Sequence, residues 1–337
     1  MEDPAAICGA RDQGTKSTLA LNRSELEEYH REGFVIRRGL FSPEEAASLL
    51  DCAQSDSFVL DRAHGRKDSD GCVSKLSLWN TCGVNIYGAL ARSARVVDSV
   101  EQILGGFSHG CGGTEEAYHY HTKVMIKEAK IGGKWEWHQD YGEGDAHGKP
   151  APYCDGNHTL PRCPGYWYSN GCLAPKMLSV MVALNEHTVE NGCLHVMPRT
   201  HHLGRITHQL TGGQAGADME RVRLAEQQAG QVPVLLQPGD TLFFHCNLLH
   251  ASPQNRSDGP RWSIITAYNA KSNDPFREHH HPRYTPLDRW HDETLLQLAG
   301  QGITEGDGTE FMRAAEDDSA KGEGQADSAP VTTDAKA

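Results

Sequence analysis

No apolar run in the 337-residue sequence is long enough to cross a membrane; the longest, around "MLSVMVAL" at 177–184, suits a buried strand. Basic charge is also in short supply. Asp and Glu number 45 against 32 Lys and Arg, for a formal net charge of −13. Without a basic stripe, that acidity argues against nucleic acid as a partner. The opening "MEDPAAICGARDQG" has acidic residues where a secretory leader needs basic ones, and no apolar core follows it. The closing "TTDAKA" matches no peroxisomal or retention signal. Ten cysteines are scattered through the chain with no secretory pattern, so reduced thiols and a cytoplasmic location are expected rather than a disulfide framework. There is no internal repeat. These absences leave a globular chain with neither membrane nor nucleic acid among its expected partners; its oligomeric state is not readable.

What is present divides at about residue 117. Residues 1–20 are small and polar and read as a flexible arm. "SELEEYHREGF" reads as a helix with Ser24 as N-cap, a glutamate three residues on, and Gly33 as its stop. "FVIRRGL" follows as a strand. "SPEEAASLLDCA" opens a second helix, with Ser42 as cap, Pro43 in the first turn, and Glu44 and Glu45 at the positive end of the dipole. "SARVVDSVEQILGG" has apolar residues at helical spacing and glycines at its end. From 117 onward the runs are short and rich in β-branched and aromatic residues: "YHYHTKVMIKEA", "KWEWHQDY", "MLSVMVAL", "CLHVMP", "VPVLLQ", "TLFFHC" and "RWSIITAYNA". Turn signals such as "IGG", "ENG", "QPGD" and "SDGP" separate them. The expected fold is mainly β with N-terminal helices, around a double-stranded β-helix (jelly-roll, cupin-like) core. One domain is expected over 21–313, with helical support at 21–116 and the jelly roll at 117–270, followed by a disordered acidic tail at 314–337.

"WEWHQDYGEG" carries His138 and Asp140, two residues apart. On a strand both would face the barrel interior. A facial-triad iron site needs two histidines and one carboxylate, with the opposite face of the metal left open. "GDTLFFHCNLLHASPQNRSDGPRWSIITAYN" offers a second histidine, at His245 or His250, and Arg261 at the head of the next strand, where a guanidinium could grip a dicarboxylate.

The segment from about 117 to 270 resembles the phytanoyl-CoA dioxygenase family, which includes the ectoine hydroxylases. "LEEYHREGFVIRRGLFSPEEAASL" is similar to that family's opening, "ALNEHTVENGCLHVMPRTH" to its central signature, and "FFHCNLLHAS" with an arginine eleven residues after the second histidine to its distal segment. The resemblance implies an iron(II)- and 2-oxoglutarate-dependent oxygenase that uses O2 to hydroxylate a small molecule, releasing succinate and carbon dioxide. Its register selects His138, Asp140 and His250 as metal ligands and Arg261 as the 2-oxoglutarate anchor, with Ser252 as a second contact. Related halogenases have a small residue at the Asp140 position, so hydroxylation is the reaction implied. A non-catalytic metal- or small-molecule-binding jelly roll is the alternative, and it predicts loss of a ligand or of the anchor.

Strand parity puts His121, Lys123, Met125 and Lys127 on one face. Lys123 is read as a cosubstrate contact, and His121, Lys127 and Tyr141 as substrate contacts for an anionic or amino-acid-like molecule. A buried lysine needs a partner, and a carboxylate of cosubstrate or substrate would serve. Trp135 and Trp137 alternate with the ligands and are expected on the outer side of their strand. Gly192 in "ENG" is expected at positive φ. Arg256 reads as a solvated loop tip, "REHHHPRY" at 277–284 as a surface loop, and Cys154, His158 and Cys163 as an incomplete zinc set. "MPRTHH" stands where the family has a Pro-Gly-Ser-His turn. An insertion at 143–165, dense in Gly, Pro and Asp, is expected to be a surface loop acting as a lid over the substrate entrance.

Overall fold

In the first helix the sequence cue is displaced by two residues. Asn22, not Ser24, caps α1 (Arg23–Glu32): its side chain accepts the Glu25 N–H at 3.1 Å while the Glu25 carboxylate accepts the Asn22 N–H at 2.8 Å. Ser24 lies inside the first turn and donates its hydroxyl to Asn22 Oδ1. Both residues are competent caps with a glutamate three residues on; Glu25 turns back to the Asn22 N–H, whereas Glu27 pairs with Arg23, so the capping box forms at Asn22. The helix ends at Gly33 with φ +84°, as its sequence indicates. A computed structural model of the chain describes residues 20–108, 111–144, 167, 171–276, 278 and 281–312. The expected arm, tail and zinc set, and the lid segment beyond residue 144, lie outside these residues.

After α1 the chain forms β1 (Phe34–Arg37), α2 (Pro43–Ser55), α3 (Ser57–Asp61), β2 (His64–Lys67), β3 (Val73–Thr81), α4 (Ile86–Arg92), α5 (Ala94–Leu104), β4 (Phe107–Ser108) and β5 (Cys111–Gly112). There follow β6 (Ala117–Lys127), β7 (Trp135–His138), β8 (Glu143–Gly144), β9 (Met177–Ala183), β10 (His195–Val196), β11 (Thr207–Thr211) and β12 (Gln214–Ala217). α6 (Met219–Ala229), β13 (Val232–Pro233), β14 (Thr241–His245), β15 (His250–Ser252), β16 (Arg261–Ala270), α7 (Thr294–Gln297) and β17 (Glu310–Phe311) complete it. Ser42 and Glu45 cap α2 reciprocally. The Glu45 carboxylate also pairs with buried Arg95 of α5, whose Nη1 donates to the Leu40 carbonyl at 2.8 Å. One capping residue thereby ties the helical layer together.

The larger sheet runs β1-β14-β9-β16-β6-β3-β17, with β2 beside β3; the smaller runs β13-β10-β15-β7. Their pairings are antiparallel, and together they form the jelly roll. The stretch expected to be helical support therefore also supplies β1, β2 and β3 to the larger sheet. The first two residues of the expected surface insertion form β8, which pairs parallel with β11.

Strand parity sorts the core. Val180 and Val182 of β9, Phe243 of β14, and Trp262 and Ile264 of β16 face the helical layer. Met181, Leu242, Phe244 and Ile265 face the smaller sheet. All seven residues of β9 are buried because both of its faces are covered, which is why "MLSVMVA" reads as a continuous apolar run. Each large side chain of this kind contributes about 1.5–3 kcal/mol on burial. No helix among the described residues is long and apolar enough to cross a membrane. Cys52, Cys72, Cys82, Cys172, Cys193 and Cys246 are free thiols.

The "MPRTHH" turn places Arg199 at φ +66°, a left-handed conformation, with its N–H on the Glu32 carbonyl at 2.8 Å. A side chain with a Cβ is strained there. Arg199→Gly should stabilise the fold by roughly 0.5–1 kcal/mol, read from the urea midpoint; a lower midpoint would contradict this.

Two histidines outside the candidate site are buried as neutral groups. His119 contacts Asn80 O and Thr122 Oγ1, and His187 contacts Trp262 O. Burial first, then Arg92 for His119 and Arg261 for His187, pushes each pKa from 6.5 down to about 3. A depressed folded-state value means that the unfolded chain takes up the proton first. The stability these groups contribute is complete above pH 6.5 and is lost as the pH falls toward 3, at about 1.4 kcal/mol per pH unit for each histidine. The unfolding midpoint should therefore drop between pH 7 and pH 5, and a flat profile there would count against it.

Candidate active site

β7 and β15 pair so that His138 stands opposite His250, with ring centroids 4.0 Å apart. β7 ends at His138, so Asp140 is aimed by the turn that follows rather than by strand alternation. Asp140 Oδ1 lies 3.8 Å from His138 Nε2 and 3.9 Å from His250 Nε2. All three residues are buried, and one ligand atom from each falls within 4.8 Å of the others. Among the described residues this is the one such His/Cys/Asp/Glu group.

The surrounding hydrogen bonds fix which atoms are available. His138 Nδ1 is 2.8 Å from Glu136 O, and His250 Nδ1 is 2.9 Å from Leu248 O. A carbonyl only accepts, so each Nδ1 carries the proton and each Nε2 presents a lone pair. Burial pushes both imidazole pKa values down, and His250 acts further on His138. Ser179 of β9 donates its hydroxyl to Asp140 Oδ2 at 2.9 Å, which leaves Oδ1 for the centre. Two neutral nitrogens and a carboxylate oxygen thus converge at separations too long for hydrogen bonds. A divalent cation satisfies this donor set, and two histidines with one carboxylate match the iron(II) facial triad. Between the ligands, Gln139 faces away. Its amide donates to Gly204 O and Asn247 O, and its backbone N–H to His208 Nε2. Removing the support for Asp140 with Ser179→Ala should weaken metal binding about 10- to 100-fold without unfolding the protein, measured by Mn(II) titration. Unchanged affinity would show that Asp140 is oriented by its backbone alone.

The three side chains open onto a cavity. Lys123, Ser252 and Arg261 form its polar wall; Met125, Trp135, Met181, Leu194, Phe244 and Ile265 form its apolar one. Arg261 is 3% exposed, its Nη1 donates to Gly192 O at 2.6 Å, and its Nε has no hydrogen-bond partner among the described residues. Burial lowers the Arg261 pKa to about 10, so it is a cation at neutral pH. Gly192 has φ +72°, and a Cβ there would stand 2.2 Å from Pro253 O. Close backbone approach as well as turn geometry therefore requires glycine.

Other residues singled out in the sequence stand elsewhere. Lys127 is buried but does not line the cavity: its ammonium donates to Ser252 O, Ser252 Oγ and Pro253 O. Its partner is thus protein rather than a ligand carboxylate. His121 is buried against Tyr120, Trp167 and His281, outside the cavity lining. Tyr141 is a core residue, its hydroxyl donating to Cys172 O at 2.6 Å. His245 accepts the Asn247 N–H on Nδ1 and lies beside His201, apart from the three ligands. Arg256 is exposed. His281 corrects the surface-loop expectation for its segment: it is 8% exposed and stacks on Tyr120 with centroids 4.5 Å apart. His279 and His280 lie outside the described residues.

Trp135 was expected on the outer face of its strand, yet it lines the cavity. Ser252 pairs with Trp135 and His250 with His138, so β7 spends three residues where β15 spends two. This bulge breaks the alternation and brings Trp135 to the His138 side, while Trp137 packs against Met197, Ile206 and Leu249. The sequence reading also missed Ser179, which is hidden inside an apolar strand, and the apolar wall, whose residues look like ordinary core.

Residues 29–263 match the phytanoyl-CoA dioxygenase (PhyH) family. The chain belongs to that family. It is an iron(II)- and 2-oxoglutarate-dependent dioxygenase that hydroxylates a small organic substrate and releases succinate and carbon dioxide. Among its relatives, the ectoine dioxygenase of Bordetella parapertussis is 25% identical over 274 residues, covering 75% of this chain and 77% of that protein. The L-proline trans-4-hydroxylase of Streptomyces griseoviridis is 28% identical over 202 residues, covering 55% and 63%. In fold the chain is similar to EctD from S. alaskensis, solved with 2-oxoglutarate and 5-hydroxyectoine: TM-score 0.57 at 20% identity, over 86% of this chain and 93% of that one.

Proposed function

We propose that His138, Asp140 and His250 hold the iron(II), that Arg261 and Ser252 receive the far carboxylate of 2-oxoglutarate, and that the substrate is a small amino-acid-like molecule. The observation that carries this reading is one cavity joining a converged His-Asp-His set to a buried arginine with unused donors. When bound, the iron, with O2 and 2-oxoglutarate, supplies the oxidising chemistry. The chain's own residues orient the reactants and exclude water. Arg261 offers Nε–H and a full charge from a buried position on the cavity wall, and a carboxylate is the natural partner of a guanidinium. Lys123, which lines the cavity and has no hydrogen bond or ion pair among the described residues, supplies a second cation for the cosubstrate.

The apolar wall of Met125, Trp135 and Phe244 suits the hydrocarbon part of the substrate, where the C–H bond to be attacked lies. Ectoine and L-proline, the compounds named in two relatives, are compact molecules of this kind. The free thiols fit a reducing, cytoplasmic setting. The test is a screen of amino acids and their cyclic derivatives by succinate release, followed by mass spectrometry. A substrate should gain one oxygen atom. Succinate released only with bulky acyl thioesters, and never with amino-acid-like compounds, would overturn the substrate class.

A further inference from the structure

We propose that the junction between the end of α1 and the 197–206 turn is an acid-sensitive latch, which His201 and His245 keep closed only while both rings are neutral.

Three elements meet at Gly33, the residue that stops α1. Its carbonyl accepts the His245 N–H at the end of β14 at 2.9 Å. The His201 ring lies over its Cα: a Cβ there would stand 2.4 Å from His201 Nδ1 and 3.0 Å from Leu248 Cδ1. His201 belongs to a short 3-10 turn, Thr200–Leu203. Its Nε2 is 3.2 Å from His30 O, and a carbonyl only accepts, so Nε2 carries the proton. Its Nδ1 is buried with no hydrogen-bond partner among the described residues. A second proton on that atom would aim an N–H at the Gly33 Cα, where nothing accepts it. His245 is committed as well, since its Nδ1 accepts the Asn247 N–H at 2.9 Å. Protonating this nitrogen sets two donors against each other. Each ring therefore has a use for its neutral form and none for its cation.

The neighbours add to this. The His201 ring centroid is 3.8 Å from that of exposed His202 and 5.2 Å from that of His245. Tyr29 and His30 face the junction from α1, and Cys246 Sγ is 3.8 Å from His245 Nδ1. The carboxylate of Glu32 acts on His201 in the opposite sense, but it is shared with Arg31 at 2.8 Å. Burial first, then the adjacent imidazoles, hold His201 at about 4 and His245 at about 3. Released from the junction, both return toward 6.5, so opening takes up protons. The latch is at full strength above pH 6.5 and weakens as the pH falls toward 4.

Opening would reach the candidate site. Thr200 Oγ1 accepts the Leu249 N–H at 3.0 Å, next to His250. Gly204 O and the Ile206 N–H hold the Gln139 amide at 2.8 and 2.7 Å, between His138 and Asp140. A turn that swings off α1 withdraws these contacts together.

The experiment is amide hydrogen exchange read by mass spectrometry at pH 7 and pH 5, corrected for the intrinsic pH dependence of exchange. It uses the Mn(II)-loaded full-length protein as wild type, His201→Gln, His245→Asn and the double variant. Glutamine keeps a donor near the place of Nε2, asparagine keeps an acceptor near that of Nδ1, and neither titrates. In wild type, peptides covering 28–34 and 197–206 should open about 100- to 1,000-fold more often at pH 5, because each histidine contributes roughly 30-fold. Each single variant should retain roughly 30-fold, and the double variant should be flat within about threefold. A peptide from β9, 177–183, should keep its protection in all four proteins. Unchanged exchange in wild type overturns the proposal, as does a double variant that opens as wild type does. Equal loss of protection in β9 overturns it too, since that is global unfolding. If the double variant does not fold, the single variants decide: an increase as large as that of wild type in both overturns the latch.

Discussion

Asp140→Ala should abolish iron binding and turnover while the jelly roll stays folded. The carboxylate is the only anion among the three converging ligands, so its removal leaves two neutral imidazoles facing a divalent charge. Removing one partner of a buried charged contact costs about 2–5 kcal/mol, roughly 30- to 5,000-fold in metal affinity. The fold should tolerate the change, because Asp140 lies in a turn after β7 and no sheet pairing passes through it. Its one side-chain hydrogen-bond partner among the described residues, Ser179, keeps its place in β9. His250→Ala and His138→Ala should behave alike. His245→Ala is the internal control: its ring faces Tyr29 and His201, so substantial activity should remain. Iron stoichiometry and succinate release, measured on the same preparations, check this. A dead His245 variant beside an active His250 variant would displace the site.

Arg261→Ala separates cosubstrate from metal. Iron binding should persist, and the 2-oxoglutarate requirement should rise by about 30- to 1,000-fold, which corresponds to losing about 2–4 kcal/mol of charge-assisted contact. The side chain is buried with a free Nε, and its loss also removes the donor to Gly192 O. Part of the effect will therefore come through the 188–193 turn. Adding guanidinium ion to the variant should restore some binding if the cavity is the point of loss. An unchanged 2-oxoglutarate requirement would move the anchor to Lys123.

The parts of this site that were legible in the sequence are those fixed by spacing within one segment. His250, Ser252 and Arg261 fall within one strand-loop-strand unit, and the pairing of β15 with β7 does bring His250 to His138. Gly33, Ser42 and Gly192 were readable for the same reason, since a cap or a tight turn is a local event. What escaped depends on pairing across the chain. Parity correctly put Lys127 on the inner face of β6, but no local pattern shows that two carbonyls and a hydroxyl from residues 252 and 253 wait there. β3 was hidden because its partner, β6, begins well over thirty residues later. Ser179 is a polar residue in a strand that otherwise reads as pure core, and its use appears only once Asp140 is beside it.

The extra residue in β7 has a consequence for coordination number. In a regular strand the residue two before His138 shares its face, and here that residue is Glu136. The bulge sends Glu136 outward, where its carboxylate accepts the Ser69 N–H at 3.0 Å and sits 3.7 Å from Lys134 Nζ. An indole takes its place at the cavity wall. A second carboxylate beside Asp140 would compete for the very positions that cosubstrate and oxygen need, and would cap the metal as a closed, inert complex. Open positions at a metal held there would thus depend on backbone register: one surplus residue in a four-residue strand keeps an acid that the sequence places next to His138 and Asp140 from joining them.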